Sequence, residues 1–246
     1  MHVLIACEVS GRVRDAFRDL GHDAWSCDIL GPDSDVPGFN PAQWAETWHV
    51  QRWPAYHLEG DALWFTEGWA GAPWDLMIAH PPCTYLTNAG VRWMYEGGKR
   101  IEYADGTDNL DLARYDAMRA ACEFFARLWC LDIPRVAIEN PIMHGTAATA
   151  LDSIIRELGG PKLPLPQIIQ PWQFGDPETK ATCLWTRGLP ALIPTHRKPA
   201  KVAHRVHMTS PGPDRWYWRS RTPEAVANAF ATQWGSNAFA VPSWAY

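Results

Sequence analysis

Four short apolar runs, each ending on polar residues, constrain this chain's fold more than any other feature. They are HVLIACEV (2–9), DAWSCDIL (23–30), WDLMIAH (74–80) and PRVAIENP (134–141). Runs this short, apolar without strict alternation, suit strands buried on both faces, as in a parallel sheet. Between them lie stretches with helical spacing. SGRVRDAFRDLGH (10–22) carries Val13, Phe17 and Leu20, with Gly21 as a stop signal. In LDLARYDAMRAACEFFARLWC (110–130), Leu112, Met118, Cys122, Phe125 and Trp129 form an apolar stripe. TALDSIIRELGG (149–160) reads as a helix closed by glycine, and TPEAVANAFATQWG (222–235) as a last helix with Thr222 as N-cap and Pro223 at its first position. YHLEGDALWF (56–65) reads as a strand tip, while QIIQPWQFG (167–175) and TKATCLWTRG (179–188) read as two further strands. The stretch from Gly31 to Trp53 is mostly loop, with room for one short helix, and a long loop runs from Pro81 to Asp108. The alternation predicts an α/β fold: an open, mostly parallel twisted sheet with helices on both faces.

In such sheets ligands bind outside the carboxyl ends of the strands. The polar residues at those ends are Glu8, Asp28, Asp61, Cys83 and Glu139. EVSG (8–11) makes a tight turn into a helix, where backbone amides can hold an anionic or polar group. Asp28, about twenty residues further on, suits a ribose diol, as an acid after the second strand does in dinucleotide folds. Asp61 can accept from an amino group. For both acids a helix-cap or turn role stands beside the functional one. Cys83 follows Pro81 and Pro82 at the mouth of an apolar strand, and Glu139-Asn140 ends another. A lone Pro-Pro-Cys is more often a turn with a buried thiol, and a lone Glu-Asn more often a loop hydrogen bond. At strand ends of one sheet, together, they read as a site. Cys7, Cys27, Cys122, Cys130 and Cys183 sit in apolar runs and read as core thiols, and Phe125 and Trp129 as core.

Composition bounds the rest. The 246 residues suffice for one large α/β domain, and 47% hydrophobic residues supply its core. The 15 tryptophans are scattered singly, which suggests semi-buried surfaces and loops more than one aromatic core. No apolar run approaches the ~20 residues of a membrane span, and the N-terminus lacks the basic region of a signal peptide, so a cytoplasmic protein is expected. The six cysteines show neither metal-ligand spacing nor a Cys-x-x-Cys pair, so free thiols and no metal are expected. The net charge of −5 conceals a basic segment. Between Thr195 and Arg221 lie Arg197, Lys198, Lys201, Arg205, Arg215, Arg219 and Arg221, against Asp214 alone. It reads equally as a solvated loop or as a phosphate-binding surface.

The order of these motifs resembles the DNA cytosine-5 methyltransferases, in a compact form like those of bacteriophages. PPCTYLTNAG (81–90) is similar to that family's nucleophile loop, and VAIENP (136–141) to its Glu-Asn motif. LIACEVSGRVRDAF (4–17), Asp28 and Gly60-Asp61 fall where its cofactor motifs lie. FGDPETKATCLW (174–185) resembles the later strand motif that supports the target base, and residues 222–234 the C-terminal helix that packs beside the cofactor. The resemblance implies a class I methyltransferase-like fold. Residues 1–185, completed by 222–246, would form the catalytic domain, and 186–221 a short basic and aromatic recognition segment. It implies S-adenosylmethionine as cofactor, held by Cys7, Glu8, Ser10, Gly11, Asp28, Asp61 and Pro81. Cys83 would be the nucleophile, Glu139 the acid at ring N3, and Asn140 the residue holding both in place. Pro82, Thr84, Lys180, Thr182, Arg197, Lys198, Arg219 and Arg221 would meet DNA, with Trp216, Tyr217 and Trp218 stacking on unpaired bases. A phage setting, in which genome modification evades restriction, is implied too.

The sequence departs from the family pattern in two places. Ala6 and Glu8 stand where an aromatic residue and a glycine are usual, leaving Glu8 to take the cofactor's ammonium. Thr182 stands where an arginine usually meets the base. A pyrimidine-modifying enzyme acting on nucleotides or RNA, or transferring another group, is therefore a second expectation. A catalytically silent nucleic-acid-binding protein of the same fold is a third. A Cys/His hydrolase is a fourth: His80 and His144 flank the two motifs, but nothing in the sequence places a histidine to activate Cys83.

Overall fold

The computed structural model describes residues 1–31, 56–68, 74–88, 90–204, 208–212 and 215–236. Most of the loop expected at 31–53, together with Arg205, Asp214 and the side chains of Trp216 and Tyr217, lies outside the described residues.

Seven strands form one sheet: β1 (His2–Ala6), β2 (Asp23–Asp28), β3 (His57–Glu59), β4 (Leu76–Ala79), β5 (Val136–Pro141), β6 (Gln167–Ile169) and β7 (Thr182–Arg187). Their order is β3-β2-β1-β4-β5-β7-β6. The first five run parallel, and β7 lies antiparallel between β5 and β6. The open, mostly parallel sheet expected from strand–helix alternation is present.

The double-sided burial that makes these strands read as unbroken apolar runs is visible residue by residue. Leu4, Ala6, Met77, Ala79, Val136 and Ile138 face one core, under α2 (Leu112–Cys130) and α3 (Gly145–Glu157). Val3, Ile5, Leu76, Ile78 and Ala137 face the other, under α1 (Arg12–Asp19) and the C-terminal helix α5 (Glu224–Trp234). On α2, Met118, Cys122, Phe125 and Trp129 are buried as the helical stripe predicts, but Leu112, in the first turn, is 69% exposed. On α5, Phe230 and Trp234 stack with ring centroids 4.7 Å apart and are fully buried.

Several expectations need correction. Trp25, Trp74, Trp129, Trp185 and Trp234 are all core residues, so the tryptophans do not keep to surfaces and loops. The strand at 56–65 ends at Glu59, and Trp64–Gly68 is a wide helical turn. The strand at 167–175 spans only Gln167–Ile169, because Pro171 opens a 3-10 turn over Pro171–Gln173. Cys7 and Cys130 are only partly buried. The last helix is capped one residue later than expected. Pro223 is its N-cap, Thr222 does not cap it, and the Ala225 amide donates to Asp176 Oδ2 at 3.0 Å. A distant carboxylate does what the local threonine was expected to do.

Candidate active site at the carboxyl edge of the sheet

The first strand end is closed by the chain itself. Cys7 adopts a left-handed backbone (φ 59°), which turns Glu8 under the start of α1. Glu8 Oε1 accepts from the Val13 amide at 2.8 Å and Oε2 from the Arg14 amide at 3.2 Å, while Ser10 Oγ donates to Oε1 at 3.4 Å. The anionic group that these helix amides hold is therefore Glu8's own carboxylate. Burial raises its pKa, and the nearby His80 and the two amides pull the other way without reversing the shift. Gly11, at φ 67°, precedes α1.

Asp28 and Asp61 sit side by side because the Gly60 amide donates to the Asp28 carbonyl at 2.7 Å. Asp28 Oδ1 accepts from the Leu30 amide at 2.9 Å, and burial raises its pKa. Asp61 is exposed, and its Oδ1 accepts from the Leu63 amide at 2.9 Å, capping the turn that follows. Both acids thus have the local turn role weighed for them, each through its Oδ1.

The Cys83 loop is laced to the end of β5 by three side chains. Asn140, fully buried, donates from Nδ2 to the Pro81 carbonyl at 3.0 Å. His144 caps α3 by accepting from the Ala147 amide at Nδ1 (3.2 Å), so its Nε2–H donates to the Tyr85 carbonyl at 3.1 Å. His80 Nδ1–H donates to Glu139 Oε2 at 3.1 Å. Pro81 is buried, Pro82 and Thr84 are exposed, and Cys83 is partly buried. Burial and the Glu139 charge push the Cys83 thiol up, and Lys180 and Arg219 pull it down without reversing the shift. Cys27, by contrast, is pushed up to about 12 by burial and is an inert core thiol.

Reversal of β7 brings a third chain segment to this edge. Because it runs against β5, its beginning lies at the carboxyl end of the parallel strands, with Thr182 opposite Pro141. Lys180 just precedes it, with its amide held by Gln170 Oε1 (3.0 Å) and its Nζ donating to the Arg221 carbonyl at 2.9 Å. Burial pushes the Glu139 carboxyl up, but the His80 hydrogen bond, the Lys180 charge and the Thr182 hydroxyl outweigh it, leaving its pKa below the ordinary value. Glu139 is an anion at neutral pH.

The basic segment runs along the same rim. Thr195 and His196 amides donate to the Gln173 carbonyl, and Ala203 pairs with Pro177 and Thr179. Arg197 and Lys198 are exposed, as is Arg219 on the short helix α4 (Arg215–Ser220). The Arg221 guanidinium lies 4.9 Å from the Trp218 ring centroid.

The structure thus brings together Cys83, Glu139, Asn140, Lys180 and Thr182, with the Arg219 charge reaching Cys83. Glu8, Asp28 and Asp61 line the neighbouring strand ends. Sequence reasoning noticed His80 and His144 only as flanking residues, and Gln170 and Asp176 not at all. A histidine directly before Pro-Pro-Cys was the available signal. Among the described residues no group of His, Cys, Asp or Glu is placed to hold a metal ion, and no helix is long and apolar enough to cross a membrane.

No family model matches the chain, and no curated protein does. Solved structures do. One described as a DNA modification methyltransferase encoded within an E. coli prophage is 14% identical (TM-score 0.48), matched over 82% of this chain and 53% of its own. A methyltransferase of Entamoeba histolytica is 10% identical (0.42; 86% and 60%), and the S. pombe Dnmt2 methyltransferase 17% identical (0.40; 76% and 48%). The chain spans between 48% and 60% of the length of these proteins. The arrangement of its own sheet decides the architecture: strand order 3-2-1-4-5-7-6 with β7 reversed. It is the class I methyltransferase-like sheet that the sequence resemblance implied.

Proposed function

We propose that the chain transfers a methyl group from S-adenosylmethionine to carbon 5 of cytosine in DNA, through a covalent Cys83 adduct on an extruded base, with relaxed or short sequence specificity. The observation that carries this reading is the lacing of the Pro-Pro-Cys loop to Glu139-Asn140, which holds the Cys83 loop and a largely buried carboxylate together at one sheet edge.

The residues at the first three strand ends suit the cofactor. The paired carboxylates of Asp28 and Asp61 match a diol and an amino group. With α1 already capped, Glu8 leaves no anion site there but contributes negative charge, to which an ammonium is complementary. When bound, the cofactor supplies an electrophilic methyl on a sulfonium. Cys7, Ser10, Gly11 and Pro81 would complete the cofactor's surroundings at these strand ends. On the other side, the Cys83 thiolate adds to carbon 6 of the ring. Glu139 hydrogen-bonds ring N3 and conveys a proton to it, making carbon 5 nucleophilic. Asn140 fixes the loop through Pro81, while Lys180 and Arg219 favour the thiolate. Carbon 5 then loses its proton to water and the thiolate leaves. A base inside a duplex cannot reach Cys83, so it must be extruded or come from a single strand. Pro82, Thr84 and Thr182 border the base, and Arg197, Lys198, Arg219 and Arg221 offer charge to phosphates.

A second reading, a pyrimidine-modifying enzyme acting on RNA or nucleotides, is favoured by Thr182 standing beside Glu139 where an arginine would grip the base, and by the short recognition segment. The test is incubation with methyl-labelled S-adenosylmethionine and mixed-sequence duplex and single-stranded DNA, RNA or cytidine nucleotides, followed by nucleoside mass spectrometry. The expected product is 5-methylcytosine in DNA, absent with Cys83→Ala. Label confined to RNA or nucleotides supports the second reading. Absence of label from every substrate refutes both.

A further inference from the structure

His80 lies between the two halves of the site without a place in the scheme above. Its amide donates to the Ala6 carbonyl at 2.9 Å, which fixes it beside the end of β1. Its side chain is 9% exposed, Nδ1 is hydrogen-bonded to Glu139 Oε2, and Nε2 is buried without a hydrogen-bond partner among the described residues. A neutral imidazole donating from Nδ1 leaves a buried lone pair at Nε2, and a protonated one leaves a buried N–H. Either state is costly unless the ring has electrostatic work to do. Glu139 from β5 and Glu8 from the β1 end both feel the His80 ring, and Lys180, ahead of β7, acts on the same Glu139 carboxylate.

The scheme also lacks a proton. Glu139 must convey one to ring N3, yet the contacts around it hold it as an anion. We propose that His80 is the positioning residue of this site, orienting Glu139 through Nδ1–H and sharing with it the proton that ring N3 takes up as Cys83 adds. This rests on the pyrimidine reading above. The thiolate sulfur forms the bond to carbon 6, the displaced ring electrons are neutralised at N3 by a proton that an imidazolium at His80 passes through the Glu139 carboxylate, leaving the imidazole neutral, and carbon 5 takes the methyl from the sulfonium. When carbon 5 has lost its proton to water and the thiolate departs, the N3 proton returns to the pair. The pair ends as it began.

The test compares wild type, His80→Asn and His80→Leu, each checked for native melting behaviour. Asn keeps a donor near Nδ1 but cannot titrate; Leu removes both functions. Without DNA or cofactor, the rate of Cys83 alkylation by iodoacetamide reads the pairing alone. His80→Leu leaves the Glu139 charge uncompensated beside the thiol, so alkylation should slow several-fold at a given pH, and Asn should restore part of the rate. With DNA and S-adenosylmethionine, kcat in His80→Asn should fall by about 10²-fold, the scale of a lost general acid. Its alkaline limb should move to lower pH, while KM recovers relative to His80→Leu. Unchanged alkylation in His80→Leu overturns the pairing. Wild-type kcat and pH profile in His80→Asn overturn the shared proton. Altered alkylation with no methylation by the wild type leaves the pairing standing, and the proton role falls with the pyrimidine reading.

Discussion

At the scale of single residues, the Cys83 thiol is set by opposing charges. Burial and Glu139 suppress the Cys83 thiolate, while Lys180 and Arg219 promote it. The resting protein therefore keeps its thiol largely protonated at neutral pH, and alkylation of Cys83 should quicken steadily as the pH rises. Glu139→Gln should separate two properties usually lost together. Removing the carboxylate charge should make Cys83 alkylate faster than in wild type, while methyl transfer falls by at least the 10²-fold typical of a lost acid–base group. Lys180→Met should do the reverse to the thiol, slowing alkylation at every pH. The sequence revealed these residues as types at strand ends, but not the direction of each effect. Glu139 looked like an acid because the chemistry needs one. Only the placement of His80, Lys180 and Thr182 around it, from three separate segments, shows that it rests as a carboxylate.

At the scale of elements, strands and helices were legible because burial on both faces of a parallel sheet leaves a plain record in sequence. Their ends were not, because the ends depend on partners far along the chain. The cap of α5 shows the difference: Thr222 had the right chemistry locally, but Asp176, from another segment, reaches the Ala225 amide. Asp176→Ala should lower stability by about 1 kcal/mol, the usual value of a lost cap, whereas Thr222→Ala should lose no cap at all. Thermal or urea melting of the two variants checks this. Phe230→Ala, which empties the buried stack with Trp234, should cost about 3–5 kcal/mol in the same assay. A buried chain of contacts under β2 makes a pH prediction. Arg14 donates to Ser26 Oγ, which meets His57 Nδ1 at 2.8 Å, and His57 Nε2 lies 3.0 Å from the Leu30 carbonyl. Burial lowers the His57 pKa from 6.5 to about 4. The unfolded chain then binds the extra proton first as pH falls, so stability drops between about pH 6.5 and 4 and is complete above that window. His57→Gln should flatten that part of the stability–pH curve.

At the scale of the whole molecule, an acidic chain presents its basic segment on the rim that also holds Cys83. Binding to oligonucleotides should weaken steeply with salt, and Arg197→Ala should reduce the slope of log affinity against log salt by about 1 without changing sequence preference. Fluorescence anisotropy across a salt series measures it. The basic segment was plain in the sequence, but its route was not, because only the reversal of β7 carries the chain back to this edge. The three ties between the Cys83 loop and the segment from β5 to the start of α3 have a further consequence. His80–Glu139, Pro81–Asn140 and Tyr85–His144 each join residues 59 apart in the chain. The two segments are thus fastened like the two halves of a buckle, whose grip does not depend on the length of strap between them. A lineage could lengthen or prune the exposed turn at Asp105–Gly106 while the chemistry stayed in register. Variation in size among such proteins should accordingly gather in that strap and leave the buckle alone.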